Sequence, residues 1–171
     1  MRTLTDAECE EVAALIRNRQ LRPTMRRLPL DPKARPAGLF EDGILLASMI
    51  PRLGTGLGWG RGPCLVLSSV HILPGQSDDI LRMITLWASD YAARLGLPVV
   101  RTEVWASHAH GIDPVAALLR RFTDMGWDVR GSGPGREGDR VARLELPAEH
   151  RSGLSALIDC RVHPRTQGPT P

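Results

Sequence analysis

The sequence predicts an α/β (α+β) fold in a single domain: a mixed, mostly antiparallel central sheet flanked by helices. Three observations predict it. First, CLVLSSVHI (64–72) and PVVRTEVW (98–105) are short, β-branched apolar runs on either side of the amphipathic stretch ILRMITLWASDYAARL. Strand, helix, strand in that order demands a crossover helix packed on the sheet, with the two strands parallel. Second, two hairpin signals add antiparallel strands: Asp42-Gly43 between apolar runs, and the Gly-rich SGPGREGD between WDVRG and RVARLEL. Third, a chain of 171 residues with 42% hydrophobic content suits one domain with a substantial core.

Each element has a local reason. Residues 5–19 have helical features: Thr5 and Glu8 stand at capping-box spacing, Leu4 and Cys9 suit a hydrophobic staple, and Val12, Leu15 and Ile16 make one apolar face. Pro23, Pro29, Pro32 and Pro36 exclude regular structure over residues 20–37. GLFEDGILLASMI is a hairpin whose second strand, Ile44 to Ile50, is continuously apolar and so central. GTGLGWGRG (54–62) is expected to be a mobile connection. It lacks the Lys-Ser/Thr ending of a P-loop and the following helix of a Rossmann turn.

The helix from about Asp79 to Leu95 has the clearest periodicity, with Ile80, Met83, Ile84, Trp87, Tyr91 and Leu95 on one face. Ser77 or Asp78 caps it, and Gly96 supplies a left-handed stop. Its spacing makes Tyr91, the only tyrosine, a core residue. The next helix opens on Asp113 as cap and Pro114 at the first helical position. It buries Val115, Leu118, Leu119, Phe122 and Met125 and ends at Gly126. Strands at about Trp127 to Arg130 and Arg140 to Leu146 close the sheet. Residues 1–147 form the expected domain. Residues 148–171 form a C-terminal extension, with a short helix over 148–159 and a disordered end after Val162.

Composition narrows the function. The net charge is +3, but Lys33 is the only lysine and acidic residues are interspersed, so no basic stripe suggests nucleic acid. A cluster of Arg17, Arg19, Arg22, Arg26 and Arg27 is either a solvated face or a site for an anionic partner. No stretch approaches a membrane span, and the N-terminal residues lack the layout of a signal peptide. Cys9, Cys64 and Cys160 lie far apart without metal-type spacing. A reducing cytoplasm is the expected compartment, and no metal site is expected. His-x-His at 108–110 has ligand spacing but no further ligands beside it. Ser68 and Ser69 lack the Gly-x-Ser-x-Gly setting of a serine hydrolase.

Over about residues 37–146 the chain resembles the GNAT acyltransferase superfamily. The Asp42-Gly43 hairpin and the strand after it look like that family's second and third strands. The strand ending Val70-His71-Ile72 looks like its fourth. Asp113-Pro114-Val115-Ala116, then Phe122, Gly126 and Trp127, resemble its Asn-Pro-x-Ala and Tyr-x-x-x-Gly-Phe run. The resemblance implies an acyl-CoA co-substrate, acetyl-CoA or another, held in a splay between the fourth and fifth strands. It implies that Val70, His71 and Ile72 bond the pantetheine arm and that Gly75, Gln76, Ser77, Asp78 and Asp79 wrap the diphosphate. It adds Asp113 and Phe122 to the cofactor side. Free N–H groups and the helix dipole favour an anion at such a helix start.

The chain departs from the family at three places. Asp78 and Ile80 stand where glycines are expected, so an arginine such as Arg82 is needed to offset the negative charge. Phe122 replaces the tyrosine that protonates the leaving thiolate. The loop ASHAHGI brings His108 and His110 towards the cleft, and with His71 these are the candidate general bases. The expected reaction is transfer of an acyl group to a small-molecule or peptide amine, with a homodimer as a possible assembly. The alternative is a GNAT-shaped binding or dimerisation module without CoA chemistry, to which Asp78 and Phe122 point.

Overall fold

The computed structural model describes residues 2–3, 36–42, 44–55, 57–73, 75–105, 114–135 and 138–154. The expected helix over 5–19, most of the proline-rich segment, His108, His110, Asp113 and the tail from 155 onward lie outside the described residues. Seven described strands form one sheet: β1 (Arg2–Thr3), β2 (Ala37–Glu41), β3 (Ile44–Gly54), β4 (Cys64–Ile72), β5 (Val99–Trp105), β6 (Asp128–Pro134) and β7 (Arg140–Pro147). Helix α1 (Asp78–Arg94) crosses from β4 to β5, and α2 (Pro114–Asp124) leads from β5 towards β6. The sheet order is β1-β2-β3-β4-β5-β7-β6. Only β4 and β5 are parallel neighbours; every other pairing is antiparallel. The mixed, mostly antiparallel sheet is therefore present, with the crossover helix between its parallel strands.

Local chemistry fixes the turns. Asp42 adopts φ 49 where β2 reverses into β3, a conformation that Asp tolerates through its short polar side chain. Ser77 caps α1 by accepting from the Asp79 N–H at 3.3 Å. Gly96 (φ 70) ends α1 as the left-handed residue of a Schellman motif, with its N–H bonded to Ala93 and that of Leu97 to Ala92. Gly126 (φ 92) ends α2 in the same way, through bonds from Gly126 to Thr123 and from Trp127 to Phe122. Leu95, expected on the buried face of α1, is 44% exposed. The chain has left the helix there, and Leu97 packs on the core in its place.

The core lies between the sheet and α1. Ile80, Ile84, Trp87, Ala88 and Ala92 meet Leu65, Leu67, Val100, Leu144, Leu146 and Trp127. Trp127 donates its indole N–H to Thr85 Oγ1 at 3.2 Å, which satisfies both polar groups as they are buried. Tyr91 stacks on Trp87 with centroids 5.0 Å apart. β6 is longer than the sequence suggests, because a bulge between Val129 and Ser132, with Gly131 at φ 110, carries the pairing on to Pro134.

Residues 148–154 pack on α1. Asp90, 0% exposed, accepts from the Arg151 N–H at 2.9 Å, bonds His150 Nδ1 at 2.8 Å, and takes both Nε and a terminal nitrogen of Arg94. Ser89 donates to the Pro147 carbonyl and accepts from the Glu149 N–H, and Leu154 joins the core. Burial pushes the Asp90 carboxyl up. The bonds from Arg151, His150 and Arg94 outweigh it and hold the group below its ordinary value. A lowered folded value means stability that is present above the unfolded carboxylate range and lost as pH falls through the folded value.

Asp90→Ala should therefore cost about 2–3 kcal/mol in urea denaturation at neutral pH, because it orphans several donors at once. Asp90→Asn should flatten the acid side of the stability profile. Equal acid sensitivity in Asp90→Asn and the parent chain would show that this carboxylate does not drive it.

Candidate functional site

β4 and β5 share a short ladder: Leu65, Leu67 and Val66 between them face Val100, Thr102 and Arg101. Thr102 ends it by donating Oγ1 to the Leu67 carbonyl at 2.8 Å. Beyond this point β4 runs on through Ser68–Ile72 and β5 through Glu103–Trp105 without pairing to each other. The other edge of β4 is irregular over the same stretch. The register against β3 slips between Ile50↔Ser68 and Ser48↔His71, and Ser69 takes φ 52. A non-glycine residue in that region costs on the order of 1 kcal/mol or more and recurs where function requires a particular backbone path. The bulge bends and twists β4. It turns Val70 and Ile72 towards the α1 side, where they pack on the core, and leaves His71 on the same face as Ser68. The place where the two strands stop pairing, called the slot below, has β4 strand backbone along one side, and such an edge suits an extended chain that carries amide groups.

The slot leads to the start of α1. Leu73 donates to the Leu46 carbonyl at 2.9 Å, so the β3–β4 ladder reaches the loop. Gln76 bonds back to the Leu73 carbonyl, with Gly75 at φ 80 making the turn possible. Ser77 Oγ donates to Asp79 Oδ2 at 3.1 Å as well as capping the Asp79 N–H. The N–H groups of Gln76 and Asp79 thus have internal partners. Asp78 Oδ1 accepts from Arg121 of α2 at 3.0 Å. The offsetting cation is therefore Arg121 and not Arg82, which is exposed. Both side chains of the pair are more than half exposed, at 60% for Asp78 and 55% for Arg121, so the pair contributes little stability and opens readily.

The face of the sheet opposite α1 carries charge. The stretch 54–62 is expected to be mobile, yet its residues 59–62 are docked there, chiefly through Trp59. Its indole N–H donates to Glu103 Oε1 at 2.9 Å, and the guanidinium carbons of Arg101 and Arg143 each lie 5.9 Å from its ring centroid. Arg101, 6% exposed, bonds the carbonyls of Arg61 and Gly62 and pairs with Glu145 at 2.8 Å. A Cβ on Gly60 would come within 2.8 Å of the Arg101 guanidinium, so a larger residue there, already strained at φ 66, would displace Arg101. Glu145 also takes Arg130 at 2.6 Å. Burial raises the Glu145 carboxyl, and the two arginines outweigh that and hold it below its ordinary value. The alternation of VVRTEVW and RVARLEL carried the signal for this face, since it places Arg101, Glu103, Arg143 and Glu145 on one side of β5 and β7.

Val70, His71 and Ile72 line the diverging end of β4, and Gly75, Gln76, Ser77, Asp78 and Asp79 follow at the loop and helix start. Phe122 packs edge-on against Trp127, with centroids 5.6 Å apart. His71 and Glu103 share the face opposite α1, through the alternation of β4 and β5 around the pair Val66↔Arg101. Glu103 is a candidate site residue that no motif in the sequence marks. Among the described residues no His/Cys/Asp/Glu group could hold a metal ion, and no helix is long and apolar enough to cross a membrane.

No protein-family model matches the chain, and no curated protein matches it in sequence. Solved structures match its fold. One is an acetyltransferase of Salmonella typhimurium with its cofactor acetyl-CoA: 16% identity, TM-score 0.59, covering 88% of this chain and 94% of that one. An N-acetyltransferase of Lactobacillus plantarum matches at 11% identity and TM-score 0.62, over 85% and 94% of the two chains. An aminoglycoside 6'-acetyltransferase of type Ii matches at 12% identity and TM-score 0.50, over 85% and 80%. At these identities the likeness is one of architecture: the chain is built on the GNAT fold of the N-acetyltransferases.

Proposed function

We propose that the chain is an acyl-CoA-dependent N-acyltransferase, passing an acyl group, acetyl in the simplest case, to an amine held at the mouth of the β4–β5 slot. The observation that carries this is the divergence of β4 from β5 at Leu67 and Thr102, together with the strained bulge at Ser69. The residues present fit the arm of coenzyme A, because β4 runs on beyond Leu67 as strand backbone that is not paired with β5. At the diphosphate end Arg121 supplies the cation that an acidic helix start lacks. Bound there, acyl-CoA would supply an acyl group activated as a thioester.

The chain's own residues divide the remaining work. The backbone of Val70, His71 and Ile72 would orient the arm. The turn at Gly75 to Asp79, with Arg121 released from Asp78, would meet the phosphates, and the resemblance assigns Asp113 and Phe122 to the cofactor as well. His71 is the proposed proton acceptor for the amine, with His108 and His110, which follow β5 in the sequence, as the other candidates. Phe122 has no proton to give, so the departing sulfur takes one from water. Most of the rate would come from alignment of the amine with the acyl carbon. We place the enzyme in the cytoplasm, acting on a small-molecule or peptide amine, with a homodimer as a possible assembly. One observation favours a second reading, a binding module without CoA chemistry: Asp78 and Asp79 occupy the helix start, and its N–H groups are partly used internally.

Calorimetric titration with acetyl-CoA separates the two. Binding should be measurable, tightened about two- to fivefold in Asp78→Asn and weakened by a similar factor in Arg121→Ala. Absence of binding in both the parent and Asp78→Asn would leave the binding module standing.

The pH dependence of turnover tests the base. His71→Ala should lower the rate by roughly 10² or more and remove the acidic limb of the profile. An unchanged limb in His71→Ala that disappears in His108→Ala or His110→Ala would move the role to the loop after β5.

A further inference from the structure

Glu103 of β5 and Arg143 of β7 are direct partners in the antiparallel register. Opposite charges in that position lie with Cβ atoms about 5 Å apart and ordinarily pair. The neighbouring partners Arg101 and Glu145, on the same strands and the same face, do so at 2.8 Å. Glu103 and Arg143 do not: among the described residues neither takes part in an ion pair within 4.0 Å. The indole of Trp59 engages both. Its N–H occupies Glu103 Oε1 at 2.9 Å, and its ring faces the Arg143 guanidinium at 5.9 Å. Arg143 keeps one bond, from a terminal nitrogen to the Pro134 carbonyl at 3.2 Å. Its Nε is shut off from solvent and has no hydrogen-bond partner among the described residues. A buried N–H of a charged group left unsatisfied costs on the order of 1–3 kcal/mol. A cation and a carboxylate held apart side by side form a site for a ligand of the inverse pattern.

We infer that the acceptor is a free α-amino acid, with its carboxylate on Arg143 and its ammonium on Glu103. The inference rests on the acyltransferase reading and names the substrate class of that site. The carboxylate would take the fork of Nε and a terminal nitrogen, the bidentate geometry that guanidinium favours. The ammonium would donate to Glu103, which follows Thr102, the last residue of the β4–β5 ladder, and shares a face with His71. The amino group then sits beside the slot and the proposed base. A simple amine leaves Arg143 unanswered, and a dicarboxylate brings like charge to Glu103, so both are selected against. Entry requires the Trp59 indole to leave Glu103. Gly58, Gly60 and Gly62, at φ 82, 66 and 90, flank it and supply the backbone freedom.

The test is direct binding, followed by calorimetry and by tryptophan emission, with and without saturating acetyl-CoA. The common free L-α-amino acids are titrated singly, each beside the amine that lacks its α-carboxylate. At least one amino acid should bind about tenfold or more tighter than its amine. Arg143→Met should abolish that preference. Arg143→Lys should recover only part of it, because an ammonium lacks the fork. Glu103→Gln should weaken the amino acid and the amine alike, and Trp59→Phe should remove the emission change. Equal binding of amine and amino acid in the parent chain overturns the inference, as does a preference that survives in a folded Arg143→Met, or no amino-acid binding up to about 10 mM. Amino-acid binding without any acyl transfer would sink the acyltransferase reading and leave this site. Transfer to amines with no carboxylate preference would do the reverse.

Discussion

Where Thr102 donates its hydroxyl to the Leu67 carbonyl, the parallel ladder between β4 and β5 stops and the two strands part. The geometry on either side follows from that point. β4 is still held to β3, but through a bulge that places Ser69 at positive φ and carries the strand away from β5. The chain beyond must then turn within a few residues to begin α1, whose apolar face covers the Leu65 and Leu67 side of the sheet. A strand that paired fully with β5 would close the slot. One without the bulge would place His71 on the core face, because the side-chain period of a strand is two and a one-residue shift exchanges the faces.

Two polar clusters, one on each face, fix what the apolar core alone would leave loose. On the α1 side, Asp90 gathers Arg94, His150 and the Arg151 N–H and ties the chain after β7 to the crossover helix. On the other side, Glu145 gathers Arg101 and Arg130, and Arg101 in turn holds the carbonyls at Arg61 and Gly62. Ion pairs of this kind contribute less net stability than apolar packing of the same volume, since desolvation offsets most of the Coulomb gain. Their effect here is positional. They bring Trp59 over β5 and β7, where it contacts both Glu103 and Arg143.

Some of this was legible in the sequence, and the reasons are local. Ser77 before an apolar helical stretch, Gly96 and Gly126 just past their helices, and Asp42 in a two-residue reversal each act within a few bonds, and all behave as expected. Leu95 did not, because helical spacing continues on paper after the Schellman motif has already turned the chain. The loop 54–62 has the composition of a mobile segment, and nothing within it states that Arg101 and Glu103, some forty residues further on, will seize it.

The sequence by itself determined the mixed sheet, the crossover between parallel strands, and the stretch at the end of β4 where a ligand site is expected. These depend on periodicity, capping and turn chemistry, which are properties of neighbouring residues. Only the tertiary structure decided which charges meet. Arg121 rather than Arg82 reaches Asp78 because the fold brings this side chain of α2 to the start of α1, a meeting that no spacing in the chain encodes. Arg101 meets Glu145, while Glu103 and Arg143, equally well placed by register, each engage an indole from a distant loop instead. Charge pairing acts over a few ångströms in space whatever the separation in sequence, so it appears only once the sheet has set its register.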